Sequence, residues 1–66
     1  MKQRDQRVVA EKAALDEKTH KLFEFLGSDA VSYLPREDRR LLWTQYHAMA
    51  TYSRTLGMRL EKFIIW

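Results

Sequence analysis

The chain has no cysteine, one proline and two glycines among its 66 residues. Without cysteine, neither a disulfide nor a thiolate metal site can form, and nothing indicates an oxidising compartment. The charged N-terminus leads into no long apolar run, so we expect neither a signal peptide nor a membrane span. The sequence also lacks a glycine-rich phosphate loop and a nucleophile motif. We therefore expect a cytoplasmic protein that is not an enzyme and needs no cofactor.

The length and the charge narrow the class further. A chain of 66 residues allows one domain, residues 1–66, with a small core. Twelve Lys and Arg against nine Asp and Glu give a formal charge of +3, which is less than a dedicated duplex-DNA binder usually concentrates on one face. The excess fits a small anionic ligand or an acidic patch on a protein partner.

Apolar residues recur at helical spacing in two stretches that one short break separates. The first stripe is Val8, Leu15, Leu22 and Leu26, with Thr19 on the same line. The second is Leu42, Met49, Leu56, Leu60 and Phe63. Spacings of three and four place each set on one helix face. The pattern predicts an all-α fold, an antiparallel two-helix hairpin with helices over about 3–26 and 35–63 and a short capping turn over 27–34.

The residues at the break predict how the helices end and begin. Gly27 follows Leu26 directly, which suits the left-handed residue that often ends a helix. Pro35 suits the first position of the second helix, where its missing N–H costs nothing.

The second helix is too apolar for a lone hairpin. No charge occurs between Leu41 and Tyr52, and a second face carries Trp43, Tyr46, Ala50, Ser53, Gly57 and Ile64. The apolar tail from Phe63 to Trp66 adds to this surface. A helix that is apolar on two faces is usually covered on both. We therefore expect the protein to form a homo-oligomer.

One sector of the second helix combines arginines with aromatic rings. Arginines bind phosphates through paired hydrogen bonds, and aromatic rings stack on bases. The sector therefore predicts a nucleotide-binding surface, although the same residue types are enriched at protein–protein interfaces. We call this set the basic–aromatic flank: Arg36, Arg39, Arg40, Trp43, His47 and Arg54.

Polar residues also occur within the predicted apolar seam. They are Glu11, Lys12, Gln45, Tyr52 and Arg59, here called the polar seam. The expected register pairs Glu11 with Arg59 beside the Tyr52 hydroxyl, a network that would fix the alignment of the helices. The alternative is a ligand pocket at this end of the hairpin. We expect no metal site, because His20 and His47 lack a clear third ligand.

Nearly the whole chain resembles a family of small phage proteins of helical-hairpin type. The resemblance is carried by residues 7–18, 21–26 and 34–38, and by Leu41, Leu42, Gln45, Ala48, Met49, Tyr52, Leu56 and Arg59. Thr19 departs from the pattern, since an aliphatic residue is usual there. The family is more distantly similar to the oligomeric sponges with which phages sequester cyclic oligonucleotide or cyclic ADP-ribose signals of CBASS and Thoeris immunity.

The resemblance implies non-catalytic capture of such a signal between protomers, in the host cytoplasm during infection. The alternative is an interaction module that binds and inhibits a host protein. A structural role in the phage is a third hypothesis.

Overall fold

A computed structural model describes the backbone of residues 3–65 and the side chains of residues 6–62. Helix α1 spans Gln3–Leu26, a 3-10 turn spans Asp29–Tyr33, and helix α2 spans Arg36–Ile65. No strand occurs in this part of the chain. The prediction of an all-α chain with two helices is confirmed for these residues. The whole tail proposed to support oligomerisation, Phe63 to Trp66, lies outside the residues whose side chains are described.

Helix α2 begins one residue later than the sequence pattern predicts, and it runs two residues further. Pro35 is not the first helical residue: it precedes the helix, and its carbonyl accepts the first hydrogen bond, from the Arg39 N–H at 3.1 Å. The residue before it, Leu34, has φ −84° and ψ 148°. Proline disfavours helical backbone in the residue that precedes it, so the chain enters α2 from an extended segment.

The prediction of a left-handed Gly27 is wrong, since neither glycine of the chain has a positive φ. The Gly27 N–H donates to the Phe23 carbonyl at 3.1 Å, which continues the helical pattern for one more residue. The Ser28 N–H and hydroxyl then both donate to the Phe25 carbonyl, at 3.0 and 2.6 Å. These bonds satisfy carbonyls at the end of α1 that would otherwise lack partners, so no left-handed residue is needed.

Contacts between the helices follow an antiparallel register. The Lys12 side chain lies against Gly57, the Asp16 carboxylate bonds Ser53, and the Phe23 ring lies 5.5 Å from the Tyr46 ring. As the residue number rises along α1 toward the turn, the number of the contacting residue on α2 falls by the same amount. Because the pairs lie on one side of the helices, they define one of two grooves that flank the apolar seam.

The apolar seam is narrow. Among the described side chains only Val8, Leu26 and Leu56 are buried hydrophobic residues, with Leu56 fully enclosed. Most other stripe positions are half-buried, and Thr19 donates its hydroxyl to the Leu15 carbonyl at 2.7 Å. Two packed helices leave each stripe accessible along both edges. The fold therefore depends on few enclosed side chains, and the grooves beside the seam remain open.

The described residues include no helix that combines the length and the hydropathy needed to cross a membrane.

Candidate ligand-binding surface

The first two turns of α2 form an open basic concavity. It has a volume of about 770 Å³ and is lined by Arg36, Glu37, Arg39, Arg40 and Trp43. Three guanidinium groups against one carboxylate leave the lining positively charged. The Nε of Arg39 is buried and has no hydrogen-bond partner among the described residues. A buried donor without an acceptor carries a desolvation cost.

Four rings continue this surface along α2 and across to α1. Trp43 and Tyr46 meet edge to face with centroids 5.9 Å apart, and His47 lies 6.1 Å from Trp43. Tyr46 also contacts Phe23 of α1 at 5.5 Å. Trp43 is 43% exposed and Phe23 is 52% exposed, so both rings present area to solvent. The cluster offers stacking surface directly beside the arginines.

The structure brings together most of the basic–aromatic flank. Arg36, Arg39, Arg40 and Trp43 line one concavity, and His47 contacts Trp43. Arg54 lies seven residues beyond His47, about 10 Å further along the helix axis at 1.5 Å per residue. Arg54 therefore does not line the concavity, although it shares the same face of α2.

A second groove, between the helices, holds a polar contact that the sequence pattern did not predict. The groove has a volume of about 340 Å³, and its lining includes Asp16, Phe23, Tyr46 and Ser53. Asp16 accepts hydrogen bonds from the Lys12 ammonium at 2.7 Å and from the Ser53 hydroxyl. Only the Lys12–Asp16 bond has a signal in the sequence, since these residues are one turn apart as an i,i+4 pair, in the less favourable order. The bond to Ser53 depends on how the helices face each other.

These two bonds lower the pKa of Asp16 below its ordinary value of 3.8, the Lys12 bond having the larger effect and the Ser53 bond the next. A carboxyl whose pKa is lower in the folded state stabilises that state above its unfolded pKa, and the contribution is lost as pH falls through the folded pKa. We therefore expect Asp16→Asn to have a lower Tm than the wild type at pH 7. The difference should shrink progressively as pH falls below about 4.

Thermal melts of the wild type and Asp16→Asn at pH 7, 5, 4, 3 and 2 measure how the difference in Tm shrinks. Glu17→Gln is the matched control: Glu17 also pairs with a lysine one turn away, Lys21 at 3.3 Å, but this pair does not cross between the helices. If Asp16→Asn lowers the Tm at pH 7 by no more than Glu17→Gln does, the prediction is contradicted.

The polar seam is divided between the two sides of the hairpin rather than forming one network. Tyr52 donates to Glu11 across the helices at 2.5 Å, and this bond raises the pKa of the Tyr52 hydroxyl. Lys12 instead bonds Asp16 in the other groove. Gln45 donates only a weak bond to the Met49 sulfur at 3.9 Å. Among the described residues no polar or charged side chain is buried, so these groups lie at the edges of the seam.

Arg59 does not form the ion pair with Glu11 that the register suggested, since no contact within 4 Å joins them among the described residues. Both side chains are exposed, so removal of the arginine leaves no carboxylate buried without a partner. We expect Arg59→Ala to change the free energy of unfolding by less than about 0.5 kcal/mol. Urea titration followed by circular dichroism measures this. A loss above about 1 kcal/mol would indicate a structural role that the contacts do not account for.

The two histidines lie in different surroundings. His20 contacts Glu24 at 3.1 Å, and His47 packs against the Trp43 and Tyr46 rings. Within the part of the chain that the structure describes, no three His, Cys, Asp or Glu side chains are grouped as metal ligands would be.

Comparison with protein families matched the chain to the family model named Sequestin over residues 2–62. The match covers most of the chain, and the family name indicates sequestration without specifying a ligand. Neither the comparison with curated proteins nor the comparison with solved structures gave a match.

Proposed function

Because the chain belongs to the Sequestin family, we propose that it captures a small anionic ligand and holds it without converting it chemically. The ligand class is a nucleotide-derived immune signal, of the cyclic oligonucleotide or cyclic ADP-ribose type. The setting is the cytoplasm of a bacterial host during phage infection. The similarity of the sequence to phage hairpin proteins supports this setting, and the surface chemistry supports the ligand class.

The observation that carries the proposal is the basic concavity at the start of α2. Phosphate oxygens are acceptors that arginine binds in paired geometry, and three arginines line the concavity. Binding there would pair guanidinium N–H groups with phosphate oxygens in charge-assisted hydrogen bonds.

The ring cluster beside the concavity supports a ligand that contains a base. Trp43 lines the concavity and contacts both Tyr46 and His47. A ligand whose phosphate lies on the arginines can therefore place a base against Trp43 without leaving the surface. Inorganic phosphate or a simple carboxylate would contact only the arginines and would leave the rings without a ligand.

Self-association is part of the proposal, and the exposed area supports it. A compact monomer of 7.9 kDa should expose about 4400 Å². This chain exposes 5495 Å² and measures 48 × 14 × 14 Å. An interface of standard size, which buries about 800 Å² on each partner, would remove most of this excess.

A thermal-shift screen of the purified protein tests ligand capture. The panel consists of cyclic di- and trinucleotides, cyclic ADP-ribose isomers, and inorganic phosphate as the control for charge alone. A ligand present at 100 times its Kd stabilises the folded state by about 2.7 kcal/mol, which gives a clear rise in Tm. Mass spectrometry of the ligand released by denaturation should recover it unchanged. Failure of every nucleotide to raise the Tm would contradict the proposal, and a converted ligand would contradict the non-catalytic part.

Binding to a host protein is the second candidate function. It is favoured by large apolar side chains exposed away from the basic concavity, notably Leu41 at 54% and Tyr33 at 86%. Capture of a host protein by the wild type, lost in Leu41→Ala and Tyr33→Ala but retained in Arg36→Ala, would support it.

A further inference from the structure

The groove between the helices has a polar end and an aromatic end. At the polar end the Asp16 carboxylate accepts a hydrogen bond from Ser53. At the aromatic end the Phe23 ring lies against the Tyr46 ring. The ends are seven residues apart along each helix, about 10 Å at 1.5 Å per residue, and the small side chain of Ala50 lines the space between them. With a volume of about 340 Å³, the groove is large enough for one purine base.

The polar end of the groove offers hydrogen-bond acceptors rather than donors. The Ser53 hydroxyl donates its hydrogen to Asp16, and the Thr19 hydroxyl donates its own to the Leu15 carbonyl. Asp16 accepts from Lys12 on one carboxylate oxygen and from Ser53 on the other. A carboxylate has about four lone-pair sites, so one remains on each oxygen. A ligand that satisfies both must present two N–H or O–H donors side by side.

The charge at the polar end favours neutral donors over a free cation. The bonds from Lys12 and Ser53 hold the pKa of Asp16 below its ordinary value, so the carboxylate is ionised at neutral pH. The Lys12 ammonium, 2.7 Å away, already compensates this charge and would repel a second cation. Neutral N–H groups avoid that repulsion and still form charge-assisted hydrogen bonds with the carboxylate.

Guanine is the nucleobase whose edge matches these acceptors. Its N1–H and its N2 amino group lie side by side and both donate, like the paired N–H groups with which arginine binds a carboxylate. Adenine instead presents one amino donor beside an acceptor nitrogen, which would face the negative oxygens. The aromatic end of the groove supplies a stacking surface for the base, since Phe23 is 52% exposed.

The groove adjoins the basic concavity through the ring cluster. Tyr46 lines the groove, and its ring lies 5.9 Å from that of Trp43, which lines the concavity. The order along the surface is therefore arginines, rings and then Asp16. A nucleotide has the same order of phosphate, sugar and base. A ligand whose phosphates lie on the arginines can extend a base past Tyr46 into the groove.

We propose that the groove binds a guanine base of the captured ligand, with Asp16 accepting hydrogen bonds from its N1–H and N2 amino groups and Phe23 stacking on its face. The inference rests on the proposed function and adds base specificity to it, because phosphate contacts and stacking do not distinguish bases. One base on Trp43 and a guanine in the groove require a ligand with at least two bases. A cyclic oligonucleotide has them, and cyclic ADP-ribose has one.

NMR titration of the ¹⁵N-labelled protein with GMP, IMP and AMP tests the base contact. The three nucleotides have the same phosphate and ribose, so their Kd values differ only through the base. GMP should shift the amide signals of Asp16, Ala50 and Ser53 and bind about tenfold more tightly than AMP. IMP, which lacks the N2 amino group, should lie between them. Equal affinities for GMP and AMP, or shifts confined to Arg36–Trp43, would overturn the proposal.

Two variants separate base recognition from stability, because both remove the bond between Asp16 and Ser53. Ser53→Ala keeps the carboxylate and should keep the preference for GMP. Asp16→Asn replaces one acceptor by an amide donor, which matches the 2-oxo group of xanthine and not the amino group of guanine. This variant should therefore bind XMP more tightly than GMP. Loss of the GMP preference in Ser53→Ala, or a GMP preference unchanged in Asp16→Asn, would contradict the assigned contact.

Failure of this inference can be distinguished from failure of ligand capture. A cyclic oligonucleotide that raises the Tm of the wild type and of Asp16→Asn by equal amounts would retain capture and overturn the guanine contact. A switch from GMP to XMP in Asp16→Asn, in a protein that no cyclic nucleotide stabilises, would retain the base contact and overturn capture of the proposed ligand class.

Discussion

Replacement of Leu56 by alanine is expected to remove most of the stability of the fold. Leu56 is the one described side chain with no exposed area, at the centre of a seam that encloses only two others, Val8 and Leu26. Loss of a buried leucine costs about 2–5 kcal/mol, and a chain of this length is expected to be stable by only about 3–10 kcal/mol. At about 4–8 °C per kcal/mol, the Tm should fall by at least about 8 °C.

The control for this prediction is Leu41→Ala, a change of the same residue type in the same helix. Leu41 is 54% exposed, so its removal leaves no cavity and should shift the Tm by only a few degrees. Differential scanning calorimetry or circular dichroism compares the two variants. Equal losses at the two positions would mean that stability comes from surface shared by many residues rather than from the enclosed seam.

Periodicity predicted the secondary structure and the identity of the core. Val8, Leu26 and Leu56 all belong to the predicted stripes. Residues three and four apart lie on the same face of a helix whatever packs against it, so the spacing alone identifies the buried face. The ends of the helices were harder to predict from the sequence. Gly27 was expected to be left-handed, but serine hydroxyl and backbone bonds at Ser28 end the helix instead. Competing end structures use similar residues, so local sequence does not choose between them.

Interactions across the helices were the least predictable part. A shift of a few degrees around the helix axis decides whether a polar side chain faces the seam or its edge. Glu11 and Tyr52 were expected in the seam with Arg59, yet they bond at its edge and without Arg59. The Asp16–Ser53 bond was not expected, because neither residue lies on a stripe. In a pair of helices most positions lie near an edge of the apolar seam. The hydrogen-bond partner of a polar side chain there depends on how the two helices pack, which the sequence pattern does not specify.

The basic–aromatic flank could be predicted as a surface but not as a concavity. Helical spacing placed its arginines and rings on one face, and five of its six residues do lie together. The buried Nε of Arg39 has no signal in the sequence, since burial of one atom depends on how neighbouring side chains fold over it. Arg54 shares the face but lies further along α2, where spacing alone could not exclude it from the concavity.

Trp43→Ala is expected to have the largest effect on capture of a nucleotide ligand. Stacking of a base on an aromatic ring contributes about 1–3 kcal/mol, and 1.4 kcal/mol corresponds to a tenfold change in Kd. Trp43 is the exposed ring that both lines the basic concavity and contacts the other rings. The variant should therefore weaken binding at least tenfold. Arg54→Ala should also weaken it tenfold or more if the ligand reaches along the face, and both variants should keep their helicity.

Isothermal titration calorimetry measures these Kd values, with the nucleotide that gives the largest thermal shift as the probe. The matched controls lie on the opposite flank of α2: Leu41→Ala for the tryptophan and Arg59→Ala for the arginine. Binding that survives in Trp43→Ala and is lost in Arg59→Ala would move the site to the polar seam beside Tyr52. Binding lost in Trp43→Ala and restored in Trp43→Phe would instead identify ring stacking as the cause, because phenylalanine keeps an aromatic face and lacks the indole N–H. Self-association of each variant is measured in parallel by light scattering, since it is part of the proposed function. A variant that still self-associates and loses the ligand separates stacking from assembly.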